Sequence, residues 1–197
     1  MNFLFPPSCI GCGKEGNTIC ARCIALTRKS LSSPAQYVVA AFDYRDPLIK
    51  KSIHRAKYYG RKDLIPPLAG ELAQEAKALP LNPSSILVPV PMPRFRKLLR
   101  GYNQAELIAR ELSPLLSISV REELLVRIRN PKRQVEAKTK EERLKNQLGT
   151  FGVLGDIHGL DILLVDDVIT TGATLEAARK ILLQKGARSV QALTLAH

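Results

Sequence analysis

The sequence predicts an α/β domain with a mostly parallel sheet and helices on both faces, preceded by a small metal-binding module. Three observations lead to this prediction. Residues 162–165 are four consecutive aliphatic residues, which is typical of a strand buried on both faces. Amphipathic stretches with helical spacing alternate with short apolar stretches between residues 37 and 197. Finally, all four cysteines fall within residues 9–23.

The charge of the chain indicates a polyanionic partner. Its 30 Lys and Arg residues against 18 Asp and Glu residues give a net charge of +12, which favours nucleic acid first and an anionic membrane surface second. No stretch of about 18 apolar residues is present, so no membrane-spanning helix is predicted. The N-terminus lacks the pattern of a signal peptide, and we expect a cytoplasmic protein. The Walker A and Rossmann glycine patterns are also absent.

The cysteines form two C-x-x-C pairs with seven residues between them. Four thiolates at this spacing predict one tetrahedral Zn²⁺ site. Two disulfides are an alternative that a cytosolic setting disfavours, and the spacing is less typical of an iron–sulfur cluster. We expect a structural role, since about twenty residues cannot build a core without the metal. The predicted module covers residues 1–30 and its ligands are Cys9, Cys12, Cys20 and Cys23.

A Ser/Pro-rich linker at residues 31–36 is predicted to precede the α/β domain of residues 37–197. The first strand is expected at residues 37–44, and Pro47 then opens a helix that continues to about Tyr58. Further predicted helices are residues 64–79, 105–112 and 175–185. The other predicted strands are residues 86–91, 124–128 and 189–196.

Two acids stand at the carboxyl end of the central strand, where open α/β sheets bind ligands. Asp166 and Asp167 are followed by a hydroxyl-rich loop, residues 170–174, and then by a helix. Free amides at a helix start and threonine hydroxyls favour a phosphate monoester. The acids would repel that phosphate, so we expect them to face neutral hydroxyls or Mg²⁺. Ribose 5-phosphate fits both halves.

Residues 162–174 resemble the phosphoribosyl-diphosphate (PRPP) loop of type I phosphoribosyltransferases at every position. The resemblance implies that fold, and it implies that Asp166 and Asp167 hold the ribose hydroxyls of PRPP, which binds with Mg²⁺. We call these two residues the acid pair. We call residues 170–174 the phosphate loop. The resemblance also assigns the 5′-phosphate to this loop and to Val168 before it, that is, to Val168, Thr170, Thr171, Gly172, Ala173 and Thr174.

A second segment, residues 88–100, combines a proline-stiffened strand end with four cations before Gly101. It predicts a rigid turn suited to a diphosphate, with Pro91, Arg94 and Arg100 as the binding residues. Val-Pro-Val-Pro at residues 88–91, Arg-Gly-Tyr-Asn-Gln-Ala-Glu at residues 100–106 and the four-cysteine module resemble the ComF family.

The ComF resemblance extends into the polar, basic stretch of residues 129–147, where the sequence predicts a functional or disordered segment. In phosphoribosyltransferases the loop at this place closes over the diphosphate, which implies a catalytic role for Arg129 beside the acid pair. The family pattern is represented by Arg129, Gln134, Arg143, Asn146 and residues 149–151. The chain departs from the usual family residues at Tyr102 and Ala137, where Phe and Leu are common.

ComF proteins are associated with natural competence, so the resemblance implies a cytoplasmic protein of DNA uptake, located there or at the inner face of the membrane. We expect it to bind PRPP and single-stranded DNA, and a competence helicase or translocase is a further expected partner. An active phosphoribosyltransferase with an unidentified acceptor is the alternative. The predicted DNA-binding residues are Arg94, Arg96, Lys97, Arg100, Arg129, Lys132, Arg133 and Arg143, with Tyr58, Tyr59, Phe95 and Tyr102 as candidates for base stacking.

Overall fold

A computed structural model describes residues 6–31, 35–82, 84–128 and 149–197. Its centre is a five-stranded parallel sheet, which confirms the predicted sheet type. The sheet strands are β1 (Val38–Phe42), β2 (Ile86–Pro89), β3 (Ser119–Val120), β6 (Asp161–Val168) and β7 (Ser189–Ala196). They are arranged in the order β1-β7-β6-β2-β3, and β6 contains the acid pair.

The helices cover the sheet on both faces. Helix α2 begins at Pro47 and ends at Tyr58, as predicted, and Asp46 caps it by accepting hydrogen bonds from the amides of Leu48 and Ile49. The helices are α1 (Ala21–Ala25), α2 (Pro47–Tyr58), α3 (Ile65–Ala76), α4 (Arg94–Arg100), α5 (Gln104–Leu116) and α6 (Ala173–Gln184), with one 3₁₀ turn at Lys62–Leu64.

Two apolar layers fix these helices on the sheet. Leu163 and Val165 of β6 face one layer, which α2, α3 and α5 complete. Ile162 and Leu164 face the other layer, to which α6 contributes Leu182. Because successive residues of a strand point to opposite faces, Asp166 and Asp167 follow different layers at the same sheet edge.

A two-stranded antiparallel hairpin packs on the α6 side of the sheet. Its strands are β4 (Leu125–Arg127) and β5 (Phe151–Val153). The chain between these strands contains residues that lie outside the described part, and with them the predicted site residues Arg129, Lys132, Arg133 and Arg143.

The structure differs from the sequence prediction at residues 94–100, where a helix replaces the expected rigid turn. Pro93 precedes this helix and Gly101 follows it with a φ of +77°, in the left-handed conformation typical of a helix C-terminus. Within the described ranges, no helix combines the length and the apolar character that crossing a bilayer requires.

The cysteine module packs against the α/β domain. Ile19 and Ile24 belong to the core layer of α2, α3 and α5. The side chain of Lys51, on α2, donates to the carbonyl of Ile10 (3.1 Å), and Thr18 donates to the carbonyl of Asp63 (2.9 Å). The cysteine module therefore contacts α2, the helix that carries Lys57 in its last turn.

Candidate functional site

The four predicted metal ligands come together. The Sγ atoms of Cys9, Cys12, Cys20 and Cys23 all lie within 4.8 Å of one another, and those of Cys12 and Cys20 are 3.7 Å apart. Tetrahedral Zn²⁺ with Zn–S bonds of about 2.3 Å requires sulfur separations of about 3.8 Å. The donor set therefore fits one zinc ion, with each thiol as a ligand.

The backbone of the module also suits thiolate ligands. The amide of Cys20 donates to the Sγ atom of Cys9 (3.4 Å). Burial raises the pKa of the Cys9 thiol, but hydrogen bonds from neighbouring amides outweigh this effect and bring the pKa to about 6. A Cβ atom at Gly11 would lie 2.9 Å from the Sγ atom of Cys23, so only glycine fits beside this ligand.

The acid pair lies at the carboxyl edge of the sheet and lines a cavity of about 290 Å³. Asp167 forms an ion pair with Lys57, with Nζ and Oδ2 2.8 Å apart. The Asp166 carboxylate accepts a hydrogen bond from the amide of Asp167 (2.8 Å). Burial, and then the charge of Asp167, raise the pKa of Asp166 to about 7. In the acid pair, the charge of Asp167 is therefore balanced by Lys57, whereas Asp166 titrates near neutral pH.

Arginines surround the same cavity. Arg96 and Arg100 reach it from α4, and Arg127 reaches it from the hairpin. The Arg127 side chain donates to the carbonyl of Pro91 (3.1 Å) and lies over the ring of Phe151. Burial, and then the charge of Arg96, lower the pKa of Arg127. A ligand in this cavity would meet both the acid pair and three guanidinium groups.

The phosphate loop ends at the start of α6. Gly172 has a φ of +75°, and no side chain caps the helix. Within the described ranges, nothing in the protein accepts a hydrogen bond from the amides of residues 171–174. These amides, near the positive end of the α6 dipole, are available to an anion. Thr174, the last residue of the loop, and Val168 before it line the cavity, whereas residues 170–173 do not.

A second, wider groove of about 540 Å³ adjoins the cavity between α4 and the end of α2. Phe95 and Tyr58 are 50% and 63% exposed there, while Tyr102 is 7% exposed and so unavailable for base stacking. Tyr58 lies beneath the guanidinium of Arg100, 5.0 Å from the ring centre. The groove is lined by Lys57, Tyr58, Gly60, Phe95, Arg96, Leu99 and Arg100.

The structure separates the residues of the predicted arginine cluster. Arg96 and Arg100 line the acid-pair cavity, whereas Arg94 is exposed and does not line it. Lys97 forms an ion pair with Glu106 (2.8 Å). Four polar residues that line the cavity have no role predicted from the sequence: Lys57, Asn103, Gln104 and Arg127. Only their position in the Arg-Gly-Tyr-Asn-Gln pattern could have indicated Asn103 and Gln104.

The raised pKa of Asp166 gives a first prediction, for stability. The folded state binds this proton more tightly than the unfolded chain does, so ionisation destabilises the fold increasingly as the pH rises from about 4 through 7. Asp166→Asn removes the ionisation and is expected to raise the midpoint of thermal unfolding more at pH 8 than at pH 5. Scanning calorimetry of this variant and of the exposed control Glu75→Gln measures the difference. A rise of equal size at both pH values would contradict the prediction.

The chain is similar in sequence to one family model and to several known bacterial proteins. Residues 100–197 match the family model described as the phosphoribosyl transferase domain. The "DNA utilization protein YhgH" of Salmonella typhimurium is 30% identical, over 87% of this chain and 74% of that protein. The "Competence protein ComFC" of Bacillus subtilis is 32% identical, over 79% of this chain and 62% of that protein. The "Competence protein F" of Haemophilus influenzae is 35% identical, over 56% and 49% respectively.

These similarities agree with the architecture described above. The acid pair, the loop that leads into α6 and strands β3, β6 and β7 of the parallel sheet lie within the matched region. The four-cysteine cluster precedes them. The chain belongs to the ComF family, whose members have the type I phosphoribosyltransferase fold.

Proposed function

We propose that this protein binds PRPP, or a related ribose phosphate, together with Mg²⁺, and that it acts in the uptake or use of DNA. The observation that supports the ligand best is the joint position of the acid pair, the arginines and the uncapped start of α6 around one cavity. PRPP carries a diphosphate and a 5′-phosphate on either side of two ribose hydroxyls. The arginines match the diphosphate and the acid pair matches the ribose hydroxyls, while Thr174 brings the start of α6 to the cavity for the 5′-phosphate.

In this proposal different residues bind different parts of the ligand. Asp166 and Asp167 accept hydrogen bonds from the ribose hydroxyls, which requires the ion pair of Asp167 with Lys57 to loosen. The amides and threonine hydroxyls of the phosphate loop bind the 5′-phosphate. Arg96, Arg100 and Arg127 face the diphosphate, whose charge Mg²⁺ would partly neutralise. The sequence predicts that Arg94 binds the diphosphate, but Arg94 is exposed and is not included in this role.

A titration of the wild-type protein with a panel of ligands tests the proposal. Isothermal calorimetry in Mg²⁺ is expected to rank PRPP above ribose 5-phosphate and above diphosphate, because only PRPP fills all parts of the cavity. Equal affinity for PRPP and diphosphate would show that the acid pair contributes nothing to binding. No heat with any of the three would contradict the ligand class itself.

The wider groove supports the second half of the proposal, which is binding of single-stranded DNA. Two exposed aromatic rings, Tyr58 and Phe95, stand beside Arg96 and Arg100. Aromatic stacking with bases combined with cations along the backbone is the usual way to hold a single strand. The names of the relatives, a competence protein and a DNA utilization protein, agree with such a role.

Fluorescence anisotropy at several salt concentrations tests DNA binding. If Arg96 contacts one backbone phosphate, Arg96→Ala should reduce the slope of log K against log salt by about 0.7. Lys50→Ala, which removes the same charge from an exposed position of α2 outside the groove, should change the slope less. No binding by the wild type at low salt would contradict the DNA proposal.

Phosphoribosyl transfer is a second candidate function. The observation that favours it is the convergence of three guanidinium groups where a diphosphate would leave, since such groups stabilise departing charge. Release of diphosphate from PRPP, measured with and without nucleic acid, tests it directly. Release no faster than in the Asp166→Asn/Asp167→Asn variant would leave binding as the sole function.

A further inference from the structure

One buried hydrogen-bond donor in the wall of the acid-pair cavity has no partner within the described part of the chain. It is Nε2 of Gln104, the first residue of α5. Gln104 is 2% exposed and lines the cavity. An unpaired buried amide is unfavourable, and proteins keep few of them. A group of this kind beside a ligand cavity is a candidate for contact with the ligand.

The neighbours of Gln104 fix which end of its amide is unpaired. Its Oε1 atom accepts a hydrogen bond from Nη1 of Arg100 (3.1 Å). Rotating the amide by 180° would set two donors, the amide nitrogen and the guanidinium, against each other. Nε2 is therefore the free atom, and it can only donate.

The groups around Gln104 indicate that the missing hydrogen-bond acceptor is negatively charged. Arg96, Arg100 and Arg127 line the same cavity, and Gln104 stands at the positive end of the α5 dipole. Asn103 caps α5 through the amide of Ala105, while the amide of Gln104 has no acceptor among the described residues. A free amide, a free carboxamide donor and three guanidinium groups together favour an oxyanion.

We infer that Gln104 is a specificity-determining residue whose Nε2 donates to a phosphoryl oxygen of the bound ligand. Its Oε1 atom orients Arg100, which contacts the same anion. The identity of that anion as the diphosphate of PRPP rests on the proposed function. The contact itself requires only a phosphoryl group.

Substitution of Gln104 distinguishes a recognition role from a structural one. Gln104→Leu keeps much of the volume and removes the donor, so we expect the Kd for diphosphate in Mg²⁺ to rise about tenfold or more. The unfolding midpoint without ligand should change little, because the variant removes a buried donor without a partner and loses only the hydrogen bond that Oε1 accepts from Arg100. Gln104→Glu should weaken binding further, because a carboxylate would face the phosphoryl oxygen. Gln184→Leu, at an exposed position of α6, is the matched control.

Three titrations with diphosphate, PRPP and a single-stranded oligonucleotide separate the sources of the phosphoryl group. Weaker diphosphate binding by Gln104→Leu supports the inference even if PRPP binds no better than diphosphate, an outcome that contradicts only the proposed ribose contacts. Weaker DNA binding alone would assign the contact to the DNA backbone. Wild-type affinity for all three ligands in Gln104→Leu, or a lowered unfolding midpoint without loss of affinity, overturns the inference. So does a wild-type protein that binds none of them.

Discussion

Cys12→Ser is expected to release the metal and unfold the N-terminal module. Cys12 is the exposed member of the cluster, so serine changes packing little and the effect reports on the metal. Structural zinc contributes an apparent free energy of about 10–16 kcal/mol in small zinc modules, which is comparable to the whole stability of a domain, about 5–15 kcal/mol. Because Ile19 and Ile24 of the module belong to the main core, we expect the whole protein to lose about 10 °C or more in unfolding midpoint.

Metal analysis and thermal unfolding check this result together. The wild type should carry one zinc per chain, and treatment with a strong chelator should reproduce the stability of Cys12→Ser. Ser8→Ala, at the exposed position before the first ligand, should keep both the zinc and the midpoint. Iron in place of zinc, or a chelator without effect on the wild type, would contradict the assignment of a structural zinc site.

The double substitution Asp166→Asn/Asp167→Asn is expected to weaken PRPP binding by about 100-fold or more. Each carboxylate that accepts a hydrogen bond from a ribose hydroxyl is worth about 1.5–3 kcal/mol, and every 1.4 kcal/mol is tenfold in affinity. Asparagine preserves the shape of the side chains but lacks the charge. The protein should remain folded, because removal of the unfavourable Asp166 charge offsets part of the stability lost with the ion pair between Asp167 and Lys57.

A comparison between ligands makes this prediction specific. Diphosphate has no ribose, so its affinity for the double variant should stay the same or rise as the repulsion from the acids is removed. Glu75→Gln/Asp156→Asn, with the same change of charge at two exposed positions, is the control for calorimetry. An equal loss for PRPP and diphosphate would show that the acids act through the metal or the fold and not through the sugar.

Most of the strands and the first part of the site could be predicted because they depend on local sequence, whereas the short strands β3 and β5 were not predicted. The aliphatic stretch before the acid pair, the cysteine spacing and Pro47 at the start of α2 each encode their structure within a few residues. Helix α4 was missed although Pro93 and Gly101 flank it. The density of charge and the nearby prolines favoured a turn, while the glycine at the helix end was the available signal.

The remaining cavity residues depend on tertiary packing. In the sequence, Lys57 is one of several cations of a basic helix. Only the position of α2 on the sheet brings its Nζ atom to Asp167. Arg127 reaches the cavity because β4 pairs with β5 and presents the guanidinium over Phe151. Gln104 could be quoted from a family pattern, but its unpaired nitrogen is a property of its neighbours in space.

Helix α2 contacts both the cysteine module and the acid pair. Its first turns contact the cysteine module through Lys51 and its last turn holds Asp167 through Lys57. Any disturbance of α2 on loss of zinc would change the position of Lys57 and with it the charge that a sugar phosphate meets. Metal occupancy and ligand affinity would then be thermodynamically linked, each altering the other by the same factor.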